Sequence, residues 1–148
     1  MKISDILRPN DVLLIDNVDT KRQLLEKMSA AIAQGTKIDA MTMFDIVWER
    51  ENLGTTAFGG GTALPHGRIP GLDNVKGMFA KLGKGLDFEA KDGKEVDLVF
   101  MLISPENSGA DHLSALAQIS KIVKDEKNCE KIRQAQTVAE IYQILIQD

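Results

Sequence analysis

Between Gly54 and Gly67 the chain carries five glycines and Pro65, so this stretch cannot be helix. Each glycine costs a helix about 1 kcal/mol against alanine, and a proline breaks it. The stretch reads as strand and loop, and the helices must lie to either side. Upstream, Ile3, Ile6 and Leu7 are spaced as one helical turn stopping at Pro9, and Val12-Leu13-Leu14-Ile15 reads as a first strand. Thr20 caps a helix through Leu24, Leu25, Met28, Ala31 and Ile32 to Gly35. Asp39 caps a second, with Met43, Ile46, Val47 and Trp48 as its apolar stripe and its end near Arg50.

Downstream, Val75 to Leu82 alternates as a strand, and Gly83-Lys84-Gly85 is a turn signal. Leu86-Asp87-Phe88 reads as a short strand or hairpin arm before a second turn at Lys91 to Lys94. Val96 to Ile103 is mostly apolar, the mark of a central strand covered on both faces and closed by Ser104-Pro105. A helix capped by Asp111 or Ser108 follows, with Leu113, Leu116, Ala117, Ile119, Ser120 and Val123 inward and His112 in its first turn. Two short helices close the chain, Asn128 to Gln134 and, capped by Thr137, Val138 to Ile146. Helices, then strands, then helices predict an α/β (α+β-like) fold: one domain over residues 1–148, with a mixed sheet of about five strands flanked by helices on both faces.

Composition narrows the function. A chain of 148 residues, 43% hydrophobic, is long enough for a core without disulfides or metal. The net charge of −4, with no basic cluster, argues against nucleic-acid binding. No apolar run approaches the ~20 residues of a membrane span, and the N-terminus lacks a signal peptide's apolar core. Cys129 is the only cysteine; it reads as a packed helix residue, and a lone thiol fits a reducing compartment. These features predict a cytoplasmic protein without membrane insertion.

The glycines match neither the dinucleotide fingerprint nor the P-loop, there is no Gly-x-Ser-x-Gly elbow, and His66 and His112 stand in no metal-ligand spacing. The chemistry therefore centres on His66, read as a loop histidine between Pro65 and Gly67. An imidazole whose second nitrogen is held by a backbone acceptor is a neutral nucleophile near pH 7, able to take a phosphoryl group without acid or metal. His112 at a helix start and Arg50 with its fork of donors are its natural companions for an anion. Thr55, Thr56 and the amides around Gly61 are candidate phosphate contacts, and Phe58 and Leu64 a candidate apolar docking rim.

The pattern Arg50-Glu51-x-x-Gly54-Thr55-Thr56-x-x-Gly59-x-Gly61-x-Ala63-Leu64-Pro65-His66-Gly67, with His112-Leu113-x-x-Leu116-Ala117 after an apolar strand, resembles the IIA domain of the bacterial phosphotransferase system. More narrowly it resembles the mannitol/fructose superfamily and its nitrogen-regulatory branch (EIIA-Ntr), over essentially the whole chain. The resemblance implies a mannitol-type IIA fold and a phosphotransferase component without cofactor. It implies that His66 accepts a phosphoryl group, as tele-phosphohistidine, from an HPr- or NPr-like phosphocarrier, with His112 and Arg50 orienting or stabilising it. Gly60 departs from the asparagine of many relatives, which puts the rigidity of its loop in question. With no linker or attached IIB or IIC segment, the chain resembles the regulatory branch, which acts through phosphorylation-dependent binding of target proteins. The rival is a fructose- or mannitol-specific IIA passing phosphate to a IIB protein; a hydrolase using His66 as general base lacks an identified nucleophile.

Overall fold

The run Val96–Pro105 is apolar at nearly every position and has no face to offer water. In the computed structural model, which describes residues 1–147, it is an inner strand of a mixed sheet. The elements in chain order are α1 (Ile3–Ile6), a 3-10 turn (Pro9–Asp11), β1 (Val12–Ile15), α2 (Lys21–Ala33), α3 (Ala40–Leu53), β2 (Ala57–Gly59), β3 (Thr62–Ala63), β4 (His66–Ile69), β5 (Lys76–Leu86), β6 (Val96–Pro105), α4 (Gly109–Val123), α5 (Glu126–Gln134) and α6 (Val138–Leu145). None of the described helices is long and apolar enough to cross a membrane.

The strand order is β1-β5-β6-β3-β2, with β4 also paired to β6. β5 lies antiparallel along one edge of β6, while two short parallel segments share the other: β3 against Leu98 and Val99, β4 against Leu102 to Pro105. Pro65 falls between them. It has no N–H for the ladder, yet its carbonyl accepts from the Leu102 amide at 3.0 Å, so the edge is interrupted without losing register.

Alternation along β6 divides the core. Val99, Met101 and Ile103 join Leu24, Leu25, Met28, Ile32, Met43 and Val47 of α2 and α3. Leu98, Phe100 and Leu102 join Ile6, Ala115, Ile119, Ile132, Ile141 and Leu145 from α1 and α4 to α6. Helices therefore cover both faces, as the element order predicts.

Several boundaries differ from the sequence reading. The sheet has six strands rather than about five, because β4 forms where the sequence reads as loop. Gly67 obscures its alternation: a Cβ there would lie 3.0 Å from Ile46 Cγ2, so the glycine admits α3 against the strand. β5 runs straight through Gly83-Lys84-Gly85 without a turn. A side chain at Gly83 would strike Asp16, and one at Gly85 would come within 2.8 Å of Glu95 Cβ, so these glycines allow close approach. α3 extends past Arg50 to Leu53, carrying Glu51 inward, where its carboxylate accepts from Lys21 Nζ at 3.2 Å, from the Thr56 amide at 3.0 Å and from the Thr56 hydroxyl. On α4 the buried residues are His112, Ala115, Ile119 and Val123, so Leu113 and Ala117 turn outward. Asp125, accepting from the Lys127 and Asn128 amides, starts α5 before Asn128.

If Gly67 sets the spacing between α3 and β4, Gly67→Ala should lower unfolding free energy by about 1–3 kcal/mol, the usual range for overpacking. Urea denaturation checks this; an unchanged midpoint would show that α3 withdraws freely.

Candidate functional site

His66 opens β4 rather than lying in a loop, and is half-buried. Strand alternation turns His66 and Arg68 to one face, and Gly67 and Ile69 to the core beneath α3. The Leu64 carbonyl lies 2.8 Å from His66 Nδ1. A carbonyl only accepts, so Nδ1 carries the hydrogen and, in the neutral ring, the lone pair is on Nε2.

The fold gathers three further groups around the same cleft as His66. His112 of α4 is 5% exposed, with its ring centroid 5.9 Å from that of His66 and its Nδ1 2.6 Å from Ser104 Oγ at the end of β6. Arg50, in the last turn of α3, donates from one guanidinium nitrogen to the Gly54 carbonyl at 2.8 Å. Arg68 is exposed beside them. Two shallow clefts, of about 400 and 250 Å³, meet at the site, and both His66 and Arg50 line each. The first continues over Ile46, Leu53, Arg68 and His112; the second over Thr55, Thr56, Phe58 and Leu116. A larger cleft of about 960 Å³, between the β2–β3 turn and α5, contains neither histidine.

Burial holds the His66 pKa below its ordinary 6.5, and the Arg50 charge acts the same way, against the Leu64 hydrogen bond and the Glu51 charge. Burial, with help from Arg68 and His66, pushes His112 down to about 4. At neutral pH both rings are uncharged, and the fixed positive charge beside them comes from Arg50 and Arg68. Among the described residues, no three His, Cys, Asp or Glu side chains gather so as to hold a metal ion.

Of the residues singled out in the sequence, His66, His112 and Arg50 come together and Gly61 does not. Gly59, Gly60 and Gly61 form the β2–β3 turn, all with positive φ. The Gly61 carbonyl accepts from the Asp97 and Leu98 amides, whereas His66 pairs with Leu102, four residues or roughly 13 Å further along β6. The turn also carries two hydrogen bonds at Gly60: its amide donates to Asp92 at 2.8 Å and its carbonyl accepts from Arg133 at 2.9 Å. Thr55 and Thr56 line the second cleft, but their hydroxyls already donate, to the Phe88 carbonyl and to Glu51. Leu64 is 3% exposed and packs in the core, so it forms no rim. Phe58 is 39% exposed under Lys124, and the more open apolar groups near the histidines are Leu53 at 82% and Leu113 at 63%.

The sequence reading assigns no site role to Arg68, Ser104 or Leu53, and it places Leu113 inward, whereas Leu113 is exposed. Arg68 follows from period-two alternation once His66 is placed in a strand. Leu113 follows from its neighbour, since burying His112 turns the next helical residue outward.

Residues 5–148 match the family model described as phosphoenolpyruvate-dependent sugar phosphotransferase system, EIIA 2. A nitrogen regulatory protein of Bradyrhizobium diazoefficiens is 41% identical over 145 residues, covering 98% of this chain and 95% of that one. A nitrogen regulatory protein of Pseudomonas aeruginosa is 33% identical, covering 99% and 96%. The crystal structure of nitrogen regulatory protein IIA-Ntr from Neisseria meningitidis superposes with a TM-score of 0.91 at 30% identity, covering 97% of this chain and 98% of that one.

The depressed histidine pKa values set a pH dependence. An unfolded histidine takes up its proton near pH 6.5, while folded His112 resists until about 4. Between those values the unfolded chain binds more protons, so His112 subtracts stability as pH falls through that window and has no effect above it. NMR titration should keep His112 neutral to about pH 4 and show His66 titrating below 6.5. Protonation of His112 near 6.5 would contradict its burial.

Proposed function

Because this chain belongs to the EIIA 2 family of the phosphoenolpyruvate-dependent sugar phosphotransferase system, we propose that it is a phosphoryl-relay protein whose acceptor is His66 and whose role is regulatory. One observation carries the acceptor assignment: the Leu64 carbonyl holds the hydrogen on Nδ1 and leaves the lone pair on Nε2, in a ring that lines one cleft with Arg50, Arg68 and His112. In the reaction a phosphorylated HPr- or NPr-like carrier docks, and Nε2 attacks phosphorus in line. The new P–N bond forms as the bond to the carrier breaks, giving tele-phosphohistidine. The ring gains positive character as Nε2 bonds to phosphorus, and the Nδ1–H bond to Leu64 strengthens with it. Arg50 and Arg68 neutralise charge on the equatorial oxygens while His112 donates a hydrogen bond; transfer of this kind runs on position and charge stabilisation.

Exposed Leu53 and Leu113 beside the histidines are suited to a protein donor rather than to a small molecule alone. The relatives named nitrogen regulatory proteins support the regulatory role over sugar uptake. On this reading, phosphorylation adds about −1.5 to −2 charge at the docking surface and changes which partners fit. The downstream recipients are regulatory target proteins in the cytoplasm, with a IIB protein as the alternative.

With phosphoenolpyruvate and the carrier system, the protein should acquire an acid-labile, alkali-stable label that His66→Ala abolishes; a label that persists in this variant defeats the acceptor assignment. Arg50→Ala should slow labelling at least tenfold, the scale of one lost charged hydrogen bond in the transition state. Leu53→Ser with Leu113→Ser should raise the carrier KM about tenfold and spare the fold, one to two buried methylenes' worth of contact. Capture of partners by only the phosphorylated or only the unmodified form supports regulation, whereas passage of the label to a fructose or mannitol IIB protein refutes it.

A further inference from the structure

Resting on His66 as acceptor, the geometry around the second histidine points to an additional positioning residue: we propose that Ser104 fixes His112 as the Nε2–H tautomer, so that the two facing imidazoles hold opposite tautomers. Ser104 is fully buried, and among the described residues its hydroxyl has a single hydrogen-bond partner, His112 Nδ1 at 2.6 Å. If Nδ1 carried the hydrogen, the ring would donate to Oγ and the serine's own hydrogen would be buried without an acceptor. Native interiors avoid that arrangement because the unpaired group loses its water and gains nothing. If instead Ser104 donates to Nδ1, every buried atom of the pair is satisfied. The ring's hydrogen then sits on Nε2, which no protein group engages among the described residues.

The consequence lies in the 5.9 Å between the rings. Leu64 makes His66 an acceptor at Nε2, and Ser104 makes His112 a donor at Nε2. One nitrogen receives the phosphorus, and the other offers a hydrogen to an oxygen of the group just received. With the other tautomer, His112 would present a lone pair to a phosphoryl oxygen and repel it. Ser104 touches neither phosphorus nor carrier. It acts through His112, from the last turnless residues of β6, where its backbone is held opposite Arg68 by the parallel pairing of β4.

The deciding measurement is a long-range proton–nitrogen spectrum of the histidine side chains in the uniformly labelled, unphosphorylated protein at neutral pH. His66 should show the hydrogen on Nδ1 and His112 on Nε2; a hydrogen on His112 Nδ1, or an even exchange between the two, overturns the proposal. This spectrum needs no phosphoryl transfer, so it is read independently of whether His66 is the acceptor. Kinetics supply the second arm. Ser104→Ala should lower the rate of His66 labelling about tenfold with the carrier KM unchanged, the scale of one misdirected hydrogen bond. Ser104→Thr, which keeps the hydroxyl, should restore most of that loss. In a His112→Gln background, whose amide donates without any tautomer to choose, Ser104→Ala should have no further effect; an equal loss there shows a general structural role and sinks the idea. If the alanine variant does not fold, the spectrum of the unaltered protein still decides.

Discussion

The 2.8 Å contact between the Leu64 carbonyl and His66 Nδ1 is the constraint on which the site depends. It exists because the edge of β6 is shared by two segments rather than one. In an unbroken strand the carbonyl two residues before a histidine would be spent on the neighbouring strand. Here β3 ends at Ala63, Pro65 contributes no donor, and the Leu64 carbonyl turns to the ring of its own chain. Leu64's side chain meanwhile anchors in the core, so the acceptor is as fixed as the sheet. A free imidazole interconverts its tautomers readily; this one has the choice made by a backbone carbonyl two residues earlier in its own chain.

Arg50 is held by a different arrangement. It shares the last turn of α3 with Glu51, and the helical twist sends the two side chains to different surroundings. Glu51 goes inward, where its carboxylate gathers Lys21 from α2 and both polar groups of Thr56 at the entry to β2. Breaking such a buried cluster on one side leaves an uncompensated charge and is strongly destabilising. The clasp fixes the junction between helix and sheet edge, and Arg50 lies on the outside of that junction. Gly67 complements it by letting α3 lie close against β4.

Much of this was legible in the sequence because periodicity reports burial. The apolar run at Val96 to Ile103, the caps at Thr20, Asp39 and Thr137, and the helical stripes of α2 and α3 are local signals, and each element formed close to its expected place. His66, His112 and Arg50 stood out by residue type and motif, and the fold brings them together. What was not legible depends on partners distant in sequence. Glycine was read as freedom in the chain, whereas at Gly67, Gly83 and Gly85 it marks room for a neighbour. The Gly59 to Gly61 turn was read as open to phosphate, but Asp92, Asp97 and Arg133 already use its polar groups or those beside it. Leu64 is buried where a rim was expected and Leu113 is exposed where an inner position was expected, since which way each side chain turns depends on packing that local spacing does not report.

Both imidazoles are neutral at physiological pH, so the cleft's attraction for an anion comes from guanidinium groups that do not titrate. Modest acidification below neutrality therefore leaves that attraction intact. Dissolved salt acts differently: Arg68 is exposed and Arg50 only half-buried, within reach of ions that screen charge over about 8 Å at physiological strength. The strength of a first electrostatic encounter at this cleft is therefore set by the ionic medium rather than by pH near neutrality.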